Sequence, residues 1–347
     1  MPNWNEVLQQ IQQLQLQHAG LAQQLHAQNI NLANNAISII RRDYLQKLHT
    51  KTGRNVIAYY SGWLSKPPLA GLEINDEDKN GFMMSVHKLD RSKGLDLILH
   101  TPGGNITSTQ SIVDYLHKMF SRTKGSVPDI RAIIPQMAMS AGTMIACSCK
   151  EIWMGKHSNM GPIDPQLAGV PTYGVLKEFE QACKEVKADP SKIPLWQSII
   201  GQYRPTFLSR CENAIELSNS FVKQQLATVM FHGRPDARKK AAKIVQNLTH
   251  YGKNKAHDRH IHYEECHQMG LKVHLIEEAT NGTGEKDPEF QDLILTVHHC
   301  FMHSLMNTPA FKMIENHMGV GISKNQITAG AVNKSGLNQL GLDSNEQ

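Results

Sequence analysis

The chain has 347 residues, 40% of them apolar and 19% charged, enough for a full α/β core in one large domain or two smaller ones. A net charge of +5, with 18 histidines counted as neutral, is too slight to argue for nucleic acid as a partner. The six cysteines follow no regular spacing and a chain this long needs no staples, which argues against a disulfide framework and for a reduced, cytoplasmic compartment.

The first residues lack a basic segment followed by an apolar run, so no secretory signal is expected. Residues 1–47 read as helical and rich in Gln. Val7, Ile11, Leu14, His18, Leu21 and Leu25 are spaced alternately by four and three, a heptad seam with one polar position. Two uses of that seam are open: a helix lying on its own domain, or a coiled coil joining subunits. The composition then predicts a strand over 54–61, a helix over 75–89, a strand over 95–100, a helix over 107–122 and a strand over 130–136. A helix over 140–149 and a strand over 151–154 follow. Such alternation points to βαβ units with right-handed crossovers and a parallel sheet.

Beyond about residue 173 the pattern turns helical, over 174–187, 205–231, 236–248 and 288–306. A short strand over 271–276 and a loop over 281–284 interrupt it. After Gly321 the chain is rich in Gly, Asn and Ser, so residues 321–347 are expected to form a flexible tail behind a domain spanning 48–320. The uncharged stretch 132–149 imitates a membrane span. Pro135, Gln136, Ser140 and Gly142 break it, so a buried strand followed by a buried helix explains it better and no transmembrane segment is expected.

Two turns carry the chemistry. His100-Thr-Pro-Gly-Gly-Asn105 joins a strand to a helix and points backbone N–H groups into a crevice. Met137-Ala-Met-Ser-Ala-Gly-Thr143 does the same with a hydroxyl, placing Ser140 at the positive end of a helix dipole with the Ala141 N–H beside it. Gly103 and Gly104 have no side chains, so a substrate backbone can come close to their amides. Side by side, the turns supply a nucleophile and an oxyanion pocket, the needs of acyl transfer. Either alone is explained by a tight turn or an N-cap; the pair points to a site.

Thr101-Pro-Gly-Gly104 and Met139-Ser-Ala-Gly142, followed by Glu151-Ile-Trp-Met154 and Met160-Gly-Pro-Ile-Asp-Pro165, resemble the Clp/crotonase-fold serine peptidases. Within them the chain is similar to the SppA-like branch, the serine dehydrogenase proteinase (SDH) family. Thr52-Gly-Arg-Asn-Val-Ile57, Tyr59-Tyr-Ser61, His257-Asp258 and Gly270-Leu-Lys-Val273 extend the resemblance over roughly residues 36–320. It implies an α/β spiral of βαβ units with an N-terminal helix and a helical C-terminal region. It further implies a Ser140 nucleophile, oxyanion donors at Gly103, Gly104 and Ala141, a protein or peptide substrate, and assembly into homo-oligomers without a cofactor. No GxxxxGK[ST] phosphate loop is present, so any ATP-driven unfolding would need a separate partner.

The general base is the open position. Clp-type peptidases carry a His downstream of the nucleophile, but the matching region here, Gly161-Pro-Ile-Asp164, has none. Signal-peptide-peptidase-like enzymes use a Lys, for which Lys184, Lys187 and Lys192 are candidates. Lys192, in a loop after Asp189-Pro190, suits best, provided burial lowers its pKa. Asp164 and His157 are candidates for support. The segment His257-Asp-Arg-His-Ile-His262 has no HExxH or paired CxxC beside it and reads as structural before it reads as zinc-binding or as catalytic support. His299 and His303, one helical turn apart, are expected to be partly buried rather than to bind a metal. The basic run 234–243 reads as a solvated face. The expected function is serine peptidase, with an acyl-CoA enzyme of the same fold or an inactive scaffold as rivals.

Overall fold

The computed structural model describes residues 4–25, 32–123, 125–167, 169–249 and 256–326. Two N-terminal helices, α1 (Trp4–Leu25) and α2 (Leu32–Thr52), precede strand β1 (Asn55–Ser61). Then come α3 (Asp78–Val86), β2 (Leu95–His100), α4 (Ile106–Phe120), β3 (Ile130–Ile134), the two-residue β4 (Met137–Ala138), α5 (Ala141–Cys147) and β5 (Glu151–Met154). Strand β6 (Asn159–Met160) leads into the hairpin β7 (Gln166–Leu167) and β8 (Val170–Pro171).

A helical excursion follows: α6 (Thr172–Ala188), α7 (Ile193–Ile200), α8 (Phe207–Gln225), which runs on as a π-helical turn (Leu226–Met230), and α9 (Ala237–Leu248). The chain returns through β9 (Ile261–His262), α10 (Tyr263–Met269), β10 (Val273–Leu275), α11 (Pro288–Asn307), β11 (Ala310–Asn316) and β12 (Gly321–Asn325).

Seven strands form one sheet in the order β10-β5-β3-β2-β1-β11-β12. The first five are mutually parallel, and β11 and β12 are antiparallel additions at one side. The parallel strands are buried on both faces, which is why they read as nearly continuous apolar runs. Alternate side chains divide the core. Ile57, Tyr59, Leu97 and Leu99 pack with α3, α4, α5, α8 and α9, while Val56, Ala58, Tyr60 and Ile98 pack with α1, α2 and α11.

Val7 and Ile11 are buried in that second layer, with Leu14 against its edge, so the start of the heptad seam lies on its own domain. The side chains of the remaining seam positions, His18, Leu21 and Leu25, lie outside the described residues. Of the strands not anticipated, two belong to the seven-stranded sheet. β11 carries two buried charged groups, Lys312 and Glu315, and β12 occupies residues expected to belong to the tail. Residues 327–347 lie outside the described residues. Among the described residues no helix is long and apolar enough to cross a membrane.

Candidate active site

The second of the two turns is held from both sides. Thr101 N donates to Met137 O at 3.2 Å and Met139 N to Thr101 O at 3.0 Å, while β4 pairs in parallel with β6. The chain then has to reverse into α5 within one residue. That residue is Ser140, at φ 48° and ψ −112°, a conformation costing a side chain about 1–3 kcal/mol. Hydrogen bonds over-determine it: Gly142 N to Met139 O at 2.7 Å and Met144 N to Ser140 O at 3.1 Å. Thr143 Oγ1 lies 2.8 Å from Ala138 O and 2.9 Å from Gly161 O, stapling the turn to the neighbouring strand. Every residue of α5 is buried, yet Ser140 itself is only half-buried, so its hydroxyl stays at an open edge.

Gly103 faces it. A Cβ on Gly103, whose φ is +96°, would lie 2.8 Å from Ser140 Cβ and 2.9 Å from Ala141 N, so only glycine lets the two turns close on each other. Gly104 presses on the backbone of Ile74 just as tightly, leaving no room for a side chain. Ile74 N donates to Gly103 O at 2.8 Å and Asn105 N to Ile74 O at 2.9 Å. In such a parallel bridge the Gly104 N–H turns to the side away from Ile74. The Gly103 N–H meets Thr101 Oγ1 at 3.2 Å.

A second pair of polar groups is assembled by strand register. β4 pairs with β6 at Met137↔Asn159 and Ala138↔Met160, so the segment after β6 runs alongside Ser140. A Cβ on Gly161 would lie 3.1 Å from Ser140 N. β6 pairs antiparallel with β9 at Asn159↔His262 and Met160↔Ile261, and continuing that register sets Asp164 opposite His257. Indeed His257 Nδ1 lies 3.2 Å from Asp164 Oδ1. The distance is that of an ion pair, although the angle falls short of a formed hydrogen bond, and both atoms are sealed from solvent. Ile163, which precedes Asp164, is pinned by Ile163 N to Leu248 O at 3.2 Å and Ser218 Oγ to Ile163 O at 2.8 Å.

The other candidates fall elsewhere. Lys192 Nζ pairs with Glu185 at 3.2 Å and its side chain is 43% exposed, so the burial that a lysine base needs is not met there. Lys184 and Lys187 are exposed on α6. His157 is engaged elsewhere: its Nε2 sits 2.8 Å from Pro135 O. His303 is buried, and burial pushes the His299 pKa down. Among the described residues no three His, Cys, Asp or Glu side chains converge as a metal site.

The sequence singles out Asp164 as a candidate for support and His257 within a segment read first as structural, but it does not show that the two pair. His257 belongs to a segment whose strand, β9, is two residues long, too short for any periodicity to reveal.

The fragments similar to this chain include two uncharacterized proteins of Methanocaldococcus jannaschii. MJ0137 is 34% identical over 122 residues, 35% of this chain and 40% of that protein. MJ1495 is 32% identical over 113 residues, 33% of this chain and 36% of that one. The matches thus span about two-fifths of the length of these relatives. Among solved structures, the ClpP protease catalytic domain from Plasmodium falciparum aligns with a TM-score of 0.33 and 15% identity, over 60% of this chain and 83% of that domain. A sequence model of ClpP-like SDH-type serine proteinases matches residues 25–279, which take in both turns, Asp164 and His257. This chain belongs to the family of ClpP-like, SDH-type serine proteinases.

Proposed function

We propose that the protein hydrolyses peptide bonds through an acyl-enzyme on Ser140, with His257 as general base and Asp164 as the group that orients it. The observation that carries this reading is the apposition of Gly103 to Ser140 and Ala141, where an added Cβ would come within 2.8 Å of Ser140 Cβ. Ser140 Oγ attacks the substrate carbonyl and its proton passes to His257 Nε2, while Nδ1 faces the Asp164 carboxylate. The Gly104 and Ala141 N–H groups then stabilise the oxyanion. His257 returns the proton to the leaving amine, and a water repeats the sequence to release the acyl group. The exposed side chains of Ile193 and Leu195 on α7, with Val170 on β8, support assembly with further copies of the chain.

A fluorophosphonate probe tests the assignment. It labels the wild-type protein at Ser140, and Ser140→Ala abolishes labelling. His257→Ala slows labelling by about a hundredfold or more, whereas Lys192→Ala leaves the rate unchanged. The reverse pattern moves the base to Lys192 and leaves the peptidase reading intact. Unlabelled wild-type protein sinks it, and acyl-CoA turnover that survives Ser140→Ala favours the rival of the same fold.

A further inference from the structure

The five residues around Asp164, Gly161-Pro-Ile-Asp-Pro165, are all buried, yet they form no strand. Pro162 and Pro165 have no N–H to give a ladder, and Pro165 also confines Asp164 to extended backbone. A buried segment of this kind still has carbonyls that need donors. Alternate ones are met by hydroxyls reaching in from three helices.

Thr143 on α5 receives the Gly161 N–H at 3.0 Å and has Gly161 O within 2.9 Å, a carbonyl that shares the single hydroxyl proton with Ala138 O at 2.8 Å. Ser218 on α8 donates to Ile163 O at 2.8 Å. Thr172, the first residue of α6, donates to Pro165 O from its hydroxyl at 2.9 Å and from its N–H at 3.1 Å. Helix α9 adds an acceptor, since Leu248 O takes the Ile163 N–H at 3.2 Å. All three hydroxyl-bearing residues are fully buried. None of these bonds is made to Asp164 itself. They clamp the chain just before and just after it, with its Oδ1 3.2 Å from His257 Nδ1.

The Ser218 hydroxyl does not do what helical hydroxyls do elsewhere in this chain. Thr109 turns back to Asn105 O at 2.8 Å and Ser304 to Cys300 O at 2.9 Å, each to the carbonyl four residues earlier. Ser218 instead reaches a carbonyl 55 positions away. Alanine would suit the helix better, so what the hydroxyl adds is a hold on Ile163. Helices α6, α8 and α9 make up the excursion between Asp164 and His257, and each contributes a bond to this segment.

We infer that Ser218 and Thr172 are positioning residues: their hydroxyls fix the backbone around Asp164 and thereby keep its carboxylate against His257. The inference rests on the peptidase reading of Ser140 with Asp164 and His257. Its test measures the maximal rate and the half-saturating concentration of fluorophosphonate labelling in Ser218→Ala, Thr172→Val, Thr172→Ser and Asp164→Asn, and in Ser218→Ala combined with Asp164→Asn.

Asp164→Asn is expected to lower the maximal rate about a hundredfold or more. Ser218→Ala lowers it about tenfold and Thr172→Val about fivefold, with half-saturation changed by less than about twofold. Thr172→Ser, which keeps the hydroxyl, stays within about twofold of wild type. Because Ser218 acts through Asp164, adding Ser218→Ala to Asp164→Asn costs less than about twofold more. A loss that recurs in full in the Asp164→Asn background marks a packing role and overturns the inference. So does a folded Ser218→Ala at the wild-type rate, or a loss that Thr172→Ser shares with Thr172→Val. Thr172→Val, alone and combined with Asp164→Asn, decides by the same criteria if Ser218→Ala does not fold. Asp164→Asn at the wild-type rate removes Asp164 and its positioning residues from the mechanism but leaves the Ser140 nucleophile standing, whereas an unlabelled wild type overturns the peptidase reading itself.

Discussion

At Ser140 the backbone is held at φ 48° and ψ −112°, where a side chain is strained and glycine is not. Replacing Ser140 should therefore have two separable effects. Ser140→Gly is expected to abolish labelling yet raise unfolding free energy by about 1 kcal/mol relative to Ser140→Ala, as read by urea denaturation. Equal stabilities of the two variants would show that the turn stores no strain. Gly103 is constrained in the opposite sense. Gly103→Ala introduces a Cβ at φ +96° that overlaps Met139 O and Ser140 Cβ, so labelling should fall by more than about a hundredfold, although the residue contributes no reacting atom. Much of this was legible. The residue types in both turns announced backbone amides and a hydroxyl because the two turns occur together, whereas either alone is explained by a tight turn or an N-cap. The candidate Lys192, chosen from spacing, is instead a partly exposed partner of Glu185.

Individual elements show where charge conceals structure. β11 is fully buried although its sequence, Ala-Phe-Lys-Met-Ile-Glu-Asn, carries two charges that disguise it as surface. Each charge has partners remote in sequence. Lys312 meets Asp78, and Glu315 receives Arg41 Nε and Arg42 Nε at 2.7 Å each. Arg41 is buried whereas the Arg42 side chain is 52% exposed, so their removal should differ. Arg41→Met is expected to cost about 3 kcal/mol by leaving Glu315 and Ser304 short of a donor, and Arg42→Met about 1 kcal/mol or less. Chemical denaturation of both variants checks the ranking. Helix α4 was legible by contrast: Asn105 accepts from Ser108 N at 3.0 Å, a cap written into the local sequence.

For the whole molecule, acid stability depends on histidines that folding keeps neutral. Burial pushes the His100 pKa down to about 3 and that of His317 to about 4, and it lowers His298 well below its ordinary value. An unfolded histidine titrates near 6.5, so between that value and the folded pKa the unfolded chain binds more protons than the native one. Stability therefore rises with pH through this window and is lost as pH falls below about 6.5, by about 1.4 kcal/mol per pH unit for each such group. Melting temperature should drop steadily from pH 7 toward pH 4. His100→Phe, which removes one of these groups, should flatten the slope; an unchanged slope would show that His100 does not take part. The proposed assembly belongs to this scale too: charged replacements of Ile193 and Leu195 should reduce the mass measured by light scattering, and an unchanged mass would show that these side chains are not covered by another copy.

Local sequence determined the alternation of strands and helices up to β5, the two glycine- and serine-bearing turns, and the Asn105 cap of α4, because each depends on neighbours a few residues apart. Tertiary structure alone decided that Gly103 closes on Ser140, that β6 and β9 bring Asp164 against His257, and that β11 can bury a lysine. These depend on strand register and on pairing charges drawn from opposite ends of the chain. Periodicity records which face of an element is buried. It does not record what that face meets.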